Sequence, residues 1–368
     1  MTARLHVATV SRWYPRPGDP FSGSFVRDTV RAVEPECDVT VVVPQTSDAR
    51  DVAAFVRSPP RAGDPWNVPM PGWPLSLPVR AVVLDRALGR LRPDLIHLHL
   101  ALPDGLPAVL TGRLRRVPVV VSEHAGFLGE LAASARSRFG LVQTLRHADA
   151  VVVGSEALAG ELRAYEPRAR VHVIGNPVDT AVFAPDASTR ELALSACLAL
   201  GEAKGTDVLL EAWARASVQA SLPRLVLVGG GPDLDRFRGL ARSLGLEGVE
   251  FAGVQPRDQL AALMRRASFF VSASRNERFA LVVAEAIASG TPVVSTRVGG
   301  PEEYVTSETG VLVEPNDIDG LAAAVVRMSG EANRYDADAL HRSIHERYGY
   351  ERFGQRLVGV YRSLAGSG

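Results

Sequence analysis

The stretch Ser274-Arg275-Asn276-Glu277-Arg278-Phe279-Ala280-Leu281-Val282-Val283-Ala284-Glu285-Ala286-Ile287-Ala288-Ser289-Gly290-Thr291-Pro292-Val293-Val294 reads as the end of a strand, a short loop, a helix and a second strand. Open α/β sheets bind ligands beyond the carboxyl ends of their strands, so the loop is where a ligand belongs. A helix N-terminus beside it offers free N–H groups and positive partial charge to an anion such as a diphosphate. Glu277 precedes the helix and Glu285 lies inside it, so two carboxylates stand ready for two separate sets of hydroxyls. The plainer reading makes Glu277 a capping residue and Glu285 a solvated one. Leu281, Val282, Ala286 and Ile287 look like core and enclose Glu285, and a buried carboxylate needs a partner.

Outward from this stretch the same alternation recurs. Short apolar runs at Leu192–Leu198, Leu225–Val228, Val249–Phe251, Phe269–Val271, Pro292–Ser295 and Gly310–Val313 are separated by helical patterns at 207–216, 233–244, 258–266, 280–289 and 318–328. Before them lie runs at Leu5–Val10, Val39–Val43, Leu95–Leu98, Val117–Val121, Ala150–Val153 and Val171–Ile174, with helical patterns at 25–33, 79–91, 106–114, 127–145 and 156–164. Runs apolar on both faces, joined by crossover helices, predict parallel sheets covered on both sides. Right-handed crossovers then give two Rossmann-like doubly wound α/β domains in tandem. The break is the loop Gly175-Asn176-Pro177-Val178-Asp179 with Phe183-Ala184-Pro185-Asp186. The expected domains are 1–175 and 176–348, with a helical tail over 339–363, of which about 349–368 packs back on the first. Ser58–Pro78 carries seven prolines with Trp66 and Trp73. Such a run is neither helix nor central strand; an active-site flap, an acceptor loop and a packed surface excursion all fit it.

Composition narrows the classes. Apolar residues are 46% and charged residues 22% of 368, which excludes disorder, collagen and coiled coil as the architecture. Net charge is zero, so no global basic field draws the chain to nucleic acid. Cys37 and Cys197 are too few for a disulfide framework and read as reduced thiols. No secretory leader and no stretch of about 18 apolar residues is present, so the expectation is a cytoplasmic protein. Forty of the 41 basic residues are arginine, and the one lysine is Lys204.

The ordered motifs resemble the retaining GT-B glycosyltransferases of family four. Glu277-x7-Glu285 is followed by Ala286-x-x-x-Gly290-x-Pro292-Val293-Val294, Gly299-Gly300 and Glu302-Glu303. Lys204-Gly205-x-Asp207, Val228-Gly229-Gly230-Gly231-Pro232, Val249-x-Phe251-x-Gly253 and Gly175-Asn176-Pro177-Val178-Asp179 are similar to its other landmarks. So are Tyr14-Pro15, Ser22-Gly23-Ser24-Phe25, Pro93-Asp94-x-Ile96-His97-x-His99 and Ser122-Glu123-His124-Ala125-Gly126. The resemblance implies two domains facing a central cleft and closing about residues 175–186, the first (1–175) an acceptor domain and the second (176–348) the donor domain, with a nucleoside diphosphate sugar as co-substrate. It implies that Lys204 contacts the donor diphosphate, Glu285 the ribose and Glu277 the transferred sugar. Backbone N–H groups of Phe279, Ala280 and Leu281 lie near sugar and phosphate, with Arg278 beside them. Gly23 lets backbone approach the diphosphate, and His124 faces the anomeric centre or a sugar hydroxyl. No cofactor and no metal is implied; the metal reading of His97 and His99 lacks a third ligand. The sequence departs from the family at Ala199, where an arginine is usual, at Leu198 and Ala280, where glycine is usual, and at Pro177 in the linker.

The implied reaction is glycosyl transfer with retention to an acceptor hydroxyl or amine of a glycan, glycolipid or natural product. Lys204 and helix N–H groups stabilise the leaving diphosphate, and front-face attack uses the leaving phosphate as base. Two readings compete: a nucleotide-sugar epimerase or hydrolase of the same fold, and a weakly catalytic nucleotide-sugar-binding subunit, to which Ala199 and Ala280 point. A dinucleotide oxidoreductase is disfavoured because Gly229-Gly230-Gly231 and Gly18-x-x-x-x-Gly23 are not Gly-x-Gly-x-x-Gly. Val79–Arg92, with Arg80, Arg86, Arg90 and Arg92 among apolar residues, either lies peripherally on an anionic inner membrane face or packs its apolar side on the sheet. Oligomeric state is left open.

Overall fold

The computed structural model describes residues 4–16, 18–19, 21–57, 65–71, 77–126 and 128–366. The chain divides into two compact units, one of Met1–Pro177 with Phe353–Gly368 and one of Val178–Arg352.

The first unit runs β1 (Leu5–Val10), α1 (Ser24–Val33), β2 (Cys37–Thr46), α2 (Ala49–Arg57), β3 (Trp66–Met70), α3 (Leu77–Leu91), β4 (Leu95–His99), α4 (Gly105–Arg115), β5 (Val119–Glu123), α5 (Leu128–Leu131), α6 (Ala135–His147), β6 (Ala150–Val153), α7 (Glu156–Tyr165) and β7 (Val171–Val173). Among the described residues its seven strands are all parallel, in the order β3-β2-β1-β4-β5-β6-β7. Val7 pairs with Val39 on one side and Leu95 on the other, which sets the central register. Val7, Ala8, Val10, Leu95, Ile96 and Leu98 are buried, as strands covered on both faces require.

The second unit runs β8 (Leu192–Ala199), α8 (Thr206–Gln219), β9 (Arg224–Gly230), α9 (Leu234–Ser243), β10 (Val249–Gly253), α10 (Arg257–Arg266), β11 (Ala267–Ser272), α11 (Leu281–Ala288), β12 (Val293–Thr296), β13 (Gly310–Val313), α12 (Ile318–Glu331) and α13 (Ala337–Tyr348). Six parallel strands take the order β10-β9-β8-β11-β12-β13. A last helix, α14 (Tyr350–Ala365), belongs to the first unit from Phe353 onward.

Four local expectations are corrected. The helical pattern over 127–145 is two helices, α5 and α6, because Ser134 caps α6 by accepting from the Ser137 N–H. The tail over 339–363 is also two helices, parted at Gly349, with Asp336 capping the first. Helix α2 went unread because its residues border the proline-rich run. Within that run Trp66–Met70 forms β3, an edge strand paired only with β2 among the described strands. An edge position tolerates Pro69, which has no N–H to give. Residues 58–64 and 72–76 of the run, Trp73 among them, lie outside the described residues. Of the two readings of Val79–Arg92, α3 buries Val83, Leu84, Ala87 and Leu88 in the core. Among the described residues no helix is long and apolar enough to cross a membrane.

Helix α14 is tied to the first sheet by polar bonds as well as packing. Arg356 donates to the carbonyls of Val173 and Ile174, at 2.7 and 3.0 Å. The Tyr361 hydroxyl lies 2.7 Å from Nδ1 of His97, and both side chains are fully buried. Tyr361→Phe keeps the ring and strands one imidazole nitrogen. It is expected to lower unfolding stability by about 1–3 kcal/mol, read from the urea midpoint.

Candidate active site

In the second unit the strand order reverses between β8 and β11. A crevice for ligand forms outside the carboxyl ends at such a switch point. Lys204 follows β8, in a tight turn over Glu202–Lys204, and Ser274 to Glu277 follow β11. Gly205 caps α8 at φ +63°, and a Cβ there would sit 1.9 Å from the Ala273 carbonyl oxygen. Only glycine allows that approach, which pulls the lysine turn against the end of β11. The Lys204 ammonium consequently reaches Oε1 of Glu277 at 2.7 Å, and the Ser274 hydroxyl donates to the same oxygen at 2.9 Å. The pair is partly open, with 35% of the lysine and 15% of the glutamate side chain exposed.

Arg275 is the residue that sequence reasoning missed. Its guanidinium grips both oxygens of Asp207 at 2.8 Å, donates to the Glu202 carbonyl and bonds Oδ1 of Asn316 at 2.7 Å through Nε. Its own N–H donates to the Ala203 carbonyl. A planar fork with five donors makes these four bonds at once, one more than the three donors of a lysine allow. The Arg275 hydrogen bonds lower the pKa of Asp207 from its ordinary value. The only signal in the sequence was an arginine beside a candidate site in a chain full of arginines.

Arg278, Phe279, Ala280 and Leu281 continue from Glu277 into α11. The Phe279 ring is buried against Tyr304 and Tyr348, so its side chain is core and only its backbone is left for a ligand. The Tyr304 hydroxyl is shared between the carbonyls of Phe279 and Ala280, at 2.7 and 2.8 Å. Ala280 precedes the helix at φ +60°, ψ +62°, in the left-handed region. The Val283 and Ala284 N–H groups donate to the Ala280 carbonyl, and those of Leu281 and Val282, at the helix start, have no acceptor within the helix. The solvated reading of Glu285 is overturned: it is 5% exposed, with Nη2 of Arg257 at 3.5 Å from Oε1. Glu277 does not cap α11, whose cap position is Ala280. Ala199 lies exposed at the end of β8.

Gly23 and His124 stand in the first unit. Gly23 caps α1 at φ +70°, and a Cβ there would meet the Trp13 carbonyl oxygen at 2.2 Å. Phe25, two residues on, brings its ring to 4.6 Å from the His124 ring centroid. Nε2 of His124 shares a 3.1 Å hydrogen bond with Nδ1 of His99, and the two rings stack. Asn176 hydrogen-bonds His124 as well. His97, on the same face of β4 as His99, bonds the Ser122 hydroxyl and Tyr361, both at 2.7 Å. Burial drives His97 to about 3 and His124 to about 4, and His99 well below its ordinary value. All three imidazoles are therefore neutral at pH 7. Neighbouring Glu123 accepts from the N–H groups of Ala101, His124 and Ala125, yet burial still raises its pKa.

Two doubly wound parallel sheets, with a lysine-carboxylate pair at the switch point of the second, define a GT-B glycosyltransferase. Residues 22–182 match the profile described as Glycosyltransferase Family 4, and residues 189–337 the one described as Glycosyl transferases group 1. A D-inositol 3-phosphate glycosyltransferase of Catenulispora acidiphila is 32% identical over 307 residues, 75% of this chain and 73% of that protein. An N-acetyl-alpha-D-glucosaminyl L-malate synthase of Bacillus anthracis is 27% identical over 294 residues, 74% of each chain. In fold, sucrose-phosphate synthase from Thermosynechococcus elongatus matches with a TM-score of 0.77, at 22% identity over 99% of this chain and 100% of that one. Anabaena HepE, solved with UDP and glucose, matches with a TM-score of 0.76, at 19% identity over 98% and 100%. The chain belongs to glycosyltransferase family 4 and is a glycosyltransferase.

Two stability measurements follow. A left-handed non-glycine residue costs about 1–2 kcal/mol, so Ala280→Gly is expected to raise the unfolding midpoint, offset in part by unfolded-state entropy. Below pH 6.5 an unfolded chain protonates its histidines, while native His124 stays neutral to about pH 4 and His97 to about pH 3. The unfolded state then binds more protons, so this contribution to stability is full above pH 6.5 and falls as pH drops, by about 1.4 kcal/mol per unit per histidine. His124→Asn should therefore flatten the fall in thermal midpoint between pH 6.5 and 4; an unchanged slope refutes the assignment.

Proposed function

We propose that the second unit binds a nucleoside diphosphate sugar and that the enzyme transfers its glycosyl group, with retention, to an acceptor hydroxyl or amine. The observation that carries this reading is the Lys204–Glu277 contact at the β8/β11 switch point. An ammonium has three donors, so Lys204 can keep Glu277 and still bind a phosphate oxygen. The free N–H groups at the start of α11 add positive partial charge for the diphosphate. Glu277, held by Lys204 and Ser274, is oriented to accept from sugar hydroxyls, and Glu285 is assigned the ribose. The HepE complex with UDP and glucose supports a uridine nucleotide as the first donor to test.

As the glycosidic bond to phosphate breaks, negative charge grows on the leaving diphosphate and positive charge on the sugar ring. Lys204 and the α11 N–H groups stabilise the first. The leaving phosphate oxygen takes the acceptor proton. In this reading no metal and no added cofactor takes part. Free Cys37 and Cys197, both with thiols pushed up to about 11 by burial, fit a reducing cytoplasm.

Calorimetry with UDP-, GDP- and dTDP-sugars tests the reading. Lys204→Ala is expected to weaken the preferred donor tenfold or more, about 1.4 kcal/mol, and Glu285→Ala to weaken it as well. Glu277→Gln should lower kcat more than donor affinity. Unchanged affinity in Lys204→Ala would remove the diphosphate assignment, and free sugar released without acceptor would favour a hydrolase.

A further inference from the structure

The first unit has its own switch point, between β1 and β4. A pocket of about 190 Å³ lies at the carboxyl ends of these two strands, lined by residues that include Arg12, Trp13, Leu98, His99, Leu102 and Asp104. Drug-sized ligands fill roughly 300–1,000 Å³, so this pocket takes a small molecule or the head group of a larger one.

Among the described residues its charges do not balance. Asp104 is buried and accepts from two guanidiniums: Nε of Arg12 at 2.8 Å on one oxygen and Nη2 of Arg80 on the other. Arg80 is fully buried behind the pocket and also donates to the Pro71 carbonyl. Two cations therefore share one carboxylate whose oxygens are both taken. Glu123, a buried carboxylate on neighbouring β5, already serves three backbone N–H groups. Three buried nitrogens have no hydrogen-bond partner among the described residues: Nη2 of Arg12, Nε of Arg80 and Nε2 of His99. A histidine can shed its proton on burial, but an arginine cannot. An excess cation next to unfilled donors is costly unless an anion completes it.

We propose that this pocket recognises the acceptor by an anionic group, a carboxylate or phosphomonoester on a compact hydroxylated molecule. Arg12 is the pairing residue, and Arg80 with Asp104 fixes its guanidinium. Trp13, 38% exposed, and the two leucines cover the carbon skeleton. That the ligand is the acceptor rests on the glycosyltransfer reading above; the anion site itself does not.

The test is calorimetry on the full chain without donor, using glycerol 3-phosphate, glycerate and neutral glycerol as probes. At least one anion is expected to bind ten times or more tighter than glycerol, and which one does so separates phosphomonoester from carboxylate. Arg12→Gln should weaken that anion tenfold or more and leave UDP affinity unchanged. Arg12→Lys, which keeps the charge and loses the fork, should fall between. Raising salt from 50 to 500 mM should weaken the anion on the unaltered chain and leave glycerol unaffected, a readout that does not depend on any variant folding. Equal binding of anions and glycerol, an anion affinity indifferent to Arg12, or loss of anion binding in Lys204→Ala would each overturn the proposal. Donor binding that fails while the Arg12-dependent anion binding persists would sink the glycosyltransfer reading alone.

Discussion

The contact between the one lysine and Glu277 organises the second unit. It joins the loop after β8 to the loop after β11, the two strands between which the order reverses. Parallel strands put all their carboxyl ends on one edge, and the reversal leaves those two loops diverging around a crevice. Something must then fix the loops relative to each other. Here it is an ammonium and a carboxylate, both partly open to solvent, with donors to spare on the cation. On the proposed reading an incoming diphosphate would meet an ammonium already held in place, with little ordering left to do on binding.

Around this pair the second unit spends packing and hydrogen bonds on rigidity. Arg275 binds the loop after β11 to the start of α8 through Asp207, and Tyr304 holds the carbonyls of Phe279 and Ala280. Ala280 keeps a left-handed backbone that glycine would adopt more easily. Its persistence shows that the surrounding contacts over-determine the conformation, a common arrangement where a loop must present backbone N–H groups in one place.

The first unit treats buried charge in two opposite ways. On β4 and β5 three imidazoles escape the cost of burial by staying neutral and bonding one another, Ser122 and Tyr361. At the ends of β1 and β4 two guanidiniums lack that escape, and one carboxylate serves them both. The first arrangement is self-sufficient apart from Nε2 of His99, which lies at the boundary with the second. That shared atom places the neutral cluster and the cationic pocket side by side at one sheet edge.

The parallel architecture was legible in the chain because strands buried on both faces must be apolar throughout, and the period changes where crossover helices begin. The strand at Trp66–Met70 escaped because an edge strand is under no such demand and prolines are tolerated there. The lysine, the paired glutamates and the glycine before α8 were legible through the resemblance of their motifs to those of the family, whose spacing reflects local backbone geometry. Partners were not. That Lys204 meets Glu277, that Arg275 rather than Arg278 clamps Asp207, that Glu285 is buried against Arg257, and that Arg12 and Arg80 share Asp104 all join residues far apart in the chain. A side chain's charge is written in the sequence, but whether that charge is compensated depends on which groups folding brings within hydrogen-bonding distance, and only tertiary structure decides that.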